Sequence, residues 1–211
     1  MSENYIELIA REKVYPIIRC KDADKVIEVA HALTEGGIRL LEISVEHTSS
    51  FRAISEVSKF TKVCAGGIIT SMQADAAFKG GAVMFSSPIS QANLIKMSKN
   101  KHVQFISGAT TANEAYSAWK SRIPLIKLFP AGAMGGVNYI QDILRQMPFL
   151  PLMPMGNIKL NEVVRYIKSG ALAVGVGRDF YQGFTPKEIT VRTRDVLKAI
   201  KDYKTWIQNQ T

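Results

Sequence analysis

Cysteine is nearly missing from this chain: among 211 residues only Cys20 and Cys64 carry a thiol. Two cysteines exclude the disulfide framework of a small secreted scaffold and the repeated pairs of a structural zinc module. Long apolar runs are lacking too, and none reaches the roughly 18 residues that a membrane-spanning helix needs. Histidine is scarce. His31, His47 and His102 stand in no metal-ligand spacing with the cysteines or carboxylates, so no metal and no cofactor is expected. The segment Met1-Ser2-Glu3-Asn4 lacks the basic and apolar regions of a secretory signal. Together these shortages lead to the expectation of a cytoplasmic protein with no membrane partner. Linkers and low-complexity segments are also missing, so residues 1–211 are expected to form one domain.

Acidic residues are the remaining shortage. Asp and Glu number 18 against 27 Lys and Arg, a net charge of +9. Such a surplus suits nucleic acid, an acidic surface or an anionic metabolite. The cations, among them Lys96, Lys99, Lys101, Arg194, Lys198 and Lys201, fall on the polar sides of predicted helices with acids between them. No Gly-rich or aromatic-interleaved basic run occurs. Nucleic acid is therefore not the expected partner; a small molecule is.

What is present is a regular alternation. Apolar, β-branched runs occur at 14–19, 40–45, 62–68, 83–88, 103–109, 125–131, 150–156 and 171–177. Near-continuous apolar runs of this length are parallel strands covered on both faces. Between them lie helical stripes: Val26, Val29, Ala30 and Leu33, then Ile140, Ile143, Leu144 and Met147. Thr70 with Gln73, Thr111 with Glu114, and Thr185 with Glu188 have capping-box spacing, and Pro186 suits a first helical position. Gly36-Gly37, Gly80-Gly81 and Gly170 fall near predicted helix ends. Strand–helix cycles of this kind predict a (β/α)8 TIM barrel with short loops, and an extra N-terminal helix over about residues 2–12 closing its bottom. A doubly wound open sheet is the runner-up.

In such a barrel the chemistry lies at the C-terminal strand ends. Two runs carry ionisable residues in apolar company: Leu40-Leu41-Glu42-Ile43-Ser44-Val45 and Leu125-Ile126-Lys127-Leu128-Phe129-Pro130. Alternation places Glu42 with Ser44, and Lys127 with Phe129, on the face opposite the wholly apolar positions, hence inside the barrel. A lone buried ammonium is costly; its escape is a partner charge or loss of the proton. A neutral lysine attacks carbonyls, and a neighbouring glutamate can move the protons. A structural ion pair filling the core is the alternative at this point.

These segments resemble the family of 2-keto-3-deoxy-6-phosphogluconate (KDPG) and 4-hydroxy-2-oxoglutarate (KHG) aldolases. Ile126-Lys127-Leu128-Phe129-Pro130-Ala131 with Gly135-Gly136 is similar to its Schiff-base lysine segment, and Leu41-Glu42-Ile43-Ser44 to its glutamate segment. Gly36-Gly37-Ile38, Phe85-Ser86-Ser87-Pro88 and Ala173-Val174-Gly175-Val176-Gly177 fit in register, over about residues 14–180. The resemblance implies a metal-independent class I aldolase that cleaves a 2-keto-4-hydroxy acid to pyruvate and an aldehyde. Lys127 is then the nucleophile, Glu42 the acid/base, and the assembly a homotrimer. Gly67, Pro88 and Phe129 are the implied pocket residues.

Three departures stand out. The family's carboxylate-binding arginine, four residues after the glutamate, is here Glu46, next to His47; Arg19 at the end of strand one is the candidate replacement. The strand-three Gly-Ala-Gly-Thr is here Cys64-Ala65-Gly66-Gly67, so Gly67 offers no hydroxyl. The strand-seven Thr-Gly-Gly is Met155-Gly156-Asn157, and Arg178 replaces a serine after strand eight. Gly156, Asn157, Gly177 and Arg178 are the candidate phosphate-binding residues, with a pair to Asp179 or to a neighbouring subunit as the alternative role for Arg178. Two further readings stay open: a barrel of this family that binds keto acids or phosphosugars with weak or lost turnover, and another phosphosugar enzyme such as an isomerase.

Overall fold

The computed structural model describes residues 4–210. Strands β1 (Val14–Ile18), β2 (Leu40–Ser44), β3 (Lys62–Gly66), β4 (Met84–Ser86), β5 (Gln104–Ala109), β6 (Ile126–Leu128), β7 (Leu152–Pro154) and β8 (Val174–Val176) alternate with helices. The helices are α2 (Ala23–Glu35), α3 (Ser49–Val57), α4 (Ser71–Lys79), α5 (Ala92–Asn100), α6 (Ala112–Lys120), α7 (Val137–Gln146), α8 (Val163–Lys168) and α9 (Pro186–Gln208), with α1 (Tyr5–Glu12) in front. All paired strands are parallel, in the order β7-β6-β5-β4-β3-β2-β1-β8. A parallel bridge between Met155 and Gly175 joins the two edges, and Leu172 N–H donates to the Leu152 carbonyl across the same seam at 2.8 Å. The sheet is thus a (β/α)8 barrel and not the open sheet kept as runner-up.

Alternation along the strands sorts the core into two layers. Leu41, Ile43, Val63, Ala65, Phe85, Phe105, Ile126, Leu128, Val174 and Val176 face the helices. Tyr15, Leu40, Cys64, Met84, Ile106, Leu125, Met153 and Ala173 fill the barrel interior. The predicted helix stripe holds: Val26, Val29, Ala30 and Leu33 are buried. So are Ile140, Ile143 and Leu144, whereas Met147 already lies beyond α7 as its cap residue. The three capping boxes form, each with the threonine hydroxyl accepting from the third helical N–H and the Gln or Glu side chain reaching back. Pro186 opens α9.

The N-terminal helix closes the barrel bottom, as expected. Leu8 and Ile9 pack into the interior layer, and Ile6 N–H donates to the Gln104 side chain at 3.0 Å. Asn4 caps it, so it starts later than the expected residue 2, and positions 2 and 3 lie outside the described residues. The Met1-Ser2-Glu3 part of the signal-sequence reading lies outside them too.

Strands are shorter than the apolar runs. The run 125–131 yields only Ile126–Leu128, because Pro130 has no N–H for a ladder and the chain turns at Phe129. Apolar residues that flank the strands, such as Val45, Ile68, Leu125 and Ala131, are buried in the core all the same. No helix among the described residues is long and apolar enough to cross a membrane. No group of three or more His, Cys, Asp or Glu among them could hold a metal.

Candidate active site

Glu42 is third on β2 and Lys127 second on β6, and both side chains point inward as alternation predicts. They meet in the barrel centre: Lys127 Nζ stands 3.4 Å from Glu42 Oε1, with both residues almost fully buried. The ammonium also lies 5.7 Å from the centroid of the Phe129 ring. Burial of the pair removes water from around both charges, so each depends on the other.

Room for the carboxylate comes from β3. A Cβ placed on Gly66 would stand 2.1 Å from Glu42 Oε1 and 2.4 Å from Cγ, so only a residue without a side chain fits beneath it. Ser44, the register partner of Gly66, follows Glu42 on the same inward face, and Ser86 shares the inward face of β4 with Met84. Both hydroxyls are buried with no hydrogen-bond partner among the described residues, as is Oε2 of Glu42. Cys64 is the register partner of Glu42 on β3, and Tyr15 lies on β1 two residues before Ile17, the partner of Glu42 there. Burial, reinforced by the neighbouring carboxylate, pushes the Cys64 thiol well above its ordinary value, which keeps it protonated and away from thiolate chemistry. The same burial, reinforced by Cys64 and Glu42, raises the Tyr15 phenol.

The strand-end residues frame the mouth. Arg19 directly follows β1, and its Nε forms an ion pair with Glu46 Oε1 at 3.0 Å, which leaves the two terminal guanidinium nitrogens for another acceptor. Its backbone is held by one residue: the Tyr181 hydroxyl accepts from Arg19 N–H at 3.0 Å and donates to the Arg19 carbonyl at 2.9 Å. Glu46 thus stands where the resemblance implies an arginine, and it engages the arginine offered in exchange. Gly67 follows β3 with φ +71°, a left-handed conformation that a threonine there would strain to adopt. A side chain at Gly67 would meet only open space, with Val45 N 3.9 Å away as its nearest neighbour. Pro88 is half-buried beyond β4, its carbonyl laid against Gly108.

Gly156 and Asn157 follow β7, and Gly177 and Arg178 follow β8, at strand ends that the Met155–Gly175 bridge joins. Gly156 packs on the Phe129 ring, where a Cβ would stand 3.0 Å from it, so the β6 and β7 loops touch through a missing side chain. Asn157 takes φ +55° and is exposed, as is Arg178. Asp179 does not pair with Arg178. Its carboxylate accepts from Leu160 N–H at 2.9 Å and faces Arg192 at 3.4 Å, so Arg192 and not Arg178 is its ionic partner. His31, exposed on α2, stacks on Phe60 with ring centroids 3.8 Å apart.

Sequence reasoning missed Gly66, Tyr15, Ser86 and Tyr181. The first three were legible in principle, since the same alternation applied to β1, β3 and β4 gives each of them an inward face. Tyr181 lies 162 residues from Arg19 and carried no signal.

A parallel (β/α)8 barrel with one amine and one carboxylate buried together at its centre defines the class: a barrel enzyme equipped for covalent amine–carbonyl chemistry. The sequence model of the KDPG and KHG aldolase family matches residues 6–187, and the chain belongs to that family. A 2-dehydro-3-deoxy-phosphogluconate aldolase from Haemophilus influenzae is 26% identical over 208 residues, covering 95% of this chain and 98% of its own. A KHG/KDPG aldolase from Escherichia coli K12 is 28% identical over 196 residues, covering 89% and 92%. Among solved structures, a KDPG aldolase from Legionella pneumophila, with pyruvate captured as a covalent carbinolamine intermediate, superposes with a TM-score of 0.82 at 23% identity. It covers 92% of this chain and 98% of its own, a likeness of fold.

Proposed function

We propose that this chain is a class I aldolase that cleaves a 2-keto-4-hydroxy acid, such as KDPG or KHG, to pyruvate and an aldehyde. The observation that carries the reading is the 3.4 Å contact between Lys127 Nζ and Glu42 Oε1 in a dry barrel core, in a chain of this family. The deprotonated Lys127 amine adds to the keto carbon, and the carbinolamine loses water to give an iminium. The iminium draws in the electron pair of the C3–C4 bond as Glu42, through a water, takes the proton of the C4 hydroxyl. The aldehyde leaves, and the remaining enamine is protonated at C3. Water then hydrolyses the iminium and releases pyruvate.

The rest of the site divides by chemistry. Arg19, with its terminal nitrogens unspent on Glu46, takes the substrate carboxylate in a forked contact. Gly67, Pro88 and Phe129 shape the pocket around the pyruvyl unit. Gly156, Asn157, Gly177 and Arg178 take the distal phosphate of a phosphorylated substrate. The chain acts as one barrel unit over residues 1–211, without a cofactor, as a homotrimer in the cytoplasm. The two free cysteines are in keeping with a reducing compartment.

One observation favours the second reading, a keto-acid binding barrel with little turnover: Gly67 has no hydroxyl and its left-handed backbone disfavours restoring one. A single experiment separates the two. Borohydride reduction with pyruvate should add one pyruvyl mass to wild-type protein on Lys127 and none to Lys127→Met. Coupled pyruvate release from KDPG or KHG should accompany it. An adduct without turnover on a panel of 2-keto acids favours the binding protein; no adduct at all overturns the aldolase.

A further inference from the structure

Tyr15 is the largest fully buried side chain of the interior, and the steps above make no use of it. It lies on β1 two residues before Ile17, the register partner of Glu42, so alternation points it inward beneath the carboxylate. It belongs to the interior apolar cluster that also holds Leu8 and Ile9 of α1, the helix that seals the barrel bottom. Its hydroxyl is buried and has no hydrogen-bond partner among the described residues. Oε2 of Glu42 is in the same condition, while Oε1 faces Lys127. The two groups face the same part of the interior: Tyr15 points inward from β1, the strand paired with β2, two residues before the register partner of Glu42, and the carboxylate adds to the burial that raises the phenol. A dry phenol donor beside a dry carboxylate oxygen costs far more apart than joined.

We propose that Tyr15 is a positioning residue for Glu42, its hydroxyl donating to Oε2 and holding the carboxylate over Gly66 with Oε1 turned to Lys127. The inference rests on the aldolase reading for its catalytic consequence, but not for the hydrogen bond itself. The charged and titratable groups facing Glu42 are Lys127 from β6, Cys64 from β3 and Tyr15 from β1. The interior layer otherwise holds apolar residues from α1, β4 and β5, namely Leu8, Ile9, Met84 and Ile106, together with the buried Ser86 hydroxyl. Lys127 takes one carboxylate oxygen. Cys64 spends its weak donor on the Ala65 carbonyl at 3.9 Å. Tyr15 is left as the buried donor for the other oxygen.

Tyr15→Phe tests this, because it keeps the ring and removes only the hydroxyl. A carboxylate that loses a donor takes up its proton at higher pH. The acid limb of the kcat profile for KDPG or KHG cleavage should therefore move up by about one pH unit, with KM within about twofold of wild type. A role limited to filling the barrel floor would leave the profile in place. The same shift is read without turnover by infrared titration of the carboxylic acid band that Glu42→Gln removes; that band should appear at higher pH in Tyr15→Phe. If the wild type forms no adduct and cleaves nothing, the aldolase reading fails, and the infrared shift still decides the hydrogen bond. A band midpoint identical in wild type and Tyr15→Phe overturns the proposal.

Discussion

Gly66 holds open the space in which the Glu42 carboxylate lies: a Cβ there would come within 2.1 Å of Oε1. The acid/base group is thus placed by the lack of a side chain on the neighbouring strand as much as by its own position on β2. Gly66→Ala should force Glu42 out of its place beside Lys127. The expected outcome is a fall in kcat of a hundredfold or more, within the roughly 10²–10⁴ a general acid/base contributes. Overpacking should destabilise the fold by about 1–3 kcal/mol. Steady-state cleavage and a urea melt on the same preparation check both.

Glu42→Gln separates covalent chemistry from proton transfer. Lys127 keeps a polar neighbour of the same size, so borohydride with pyruvate should still label it. Cleavage should fall by about two to four orders of magnitude. Intact-mass measurement after reduction and coupled pyruvate release give the two halves; loss of both together would mean that Glu42 is needed for the amine to react at all.

The mouth pair sets substrate affinity. Arg19→Lys replaces a planar fork by a point charge and should raise KM about tenfold with a smaller effect on kcat. Glu46→Gln keeps an acceptor for Arg19 Nε but removes a negative charge beside an anionic substrate, so KM should fall severalfold. Tyr181→Phe, which frees the Arg19 backbone from both of its hydrogen bonds, should raise KM less than Arg19→Lys does. Initial-rate kinetics over a substrate range test all three, and an unchanged KM in Arg19→Lys would remove Arg19 from the site.

Alkaline pH should destabilise the barrel from its interior. Burial holds the Tyr15 phenol and the Cys64 thiol well above their ordinary values of 10.0 and 9.0. Above about pH 9 the unfolded chain therefore releases protons that the folded chain keeps. The unfolded state then binds fewer protons, and stability falls as pH rises. Lys13 and Lys204, whose ammonium groups are held below their ordinary value chiefly by burial, work in the opposite direction. A comparison with Tyr15→Phe/Cys64→Ala isolates the interior contribution. The urea midpoint should drop less between pH 8 and pH 10.5 in the double variant than in wild type.

Much of the architecture was legible because the forces behind it are local. Period-2 and period-3.6 apolar patterns mark what must be covered on each strand and helix, and the Thr-x-x-Gln/Glu boxes mark helix starts whatever lies around them. Strand ends were less legible, because the apolar run continues through Phe129-Pro130-Ala131 while the strand ends at Leu128, where the chain turns. The same alternation placed Lys127 and Glu42 inside before any contact between them was known.

Which interior residues meet was decided by closure of the barrel. Lys127 and Glu42 are 85 residues apart in the chain, and only the stagger of eight parallel strands brings their tips to 3.4 Å. The Gly66 notch, Tyr15 beneath the carboxylate and the engagement of Arg19 by Glu46 and Tyr181 follow from the same stagger. By itself the sequence determined which faces are dry and which residues carry chemistry. The tertiary structure alone decided which of them touch, because a strand's pattern fixes the direction of its side chains but not the strand it will face across the barrel.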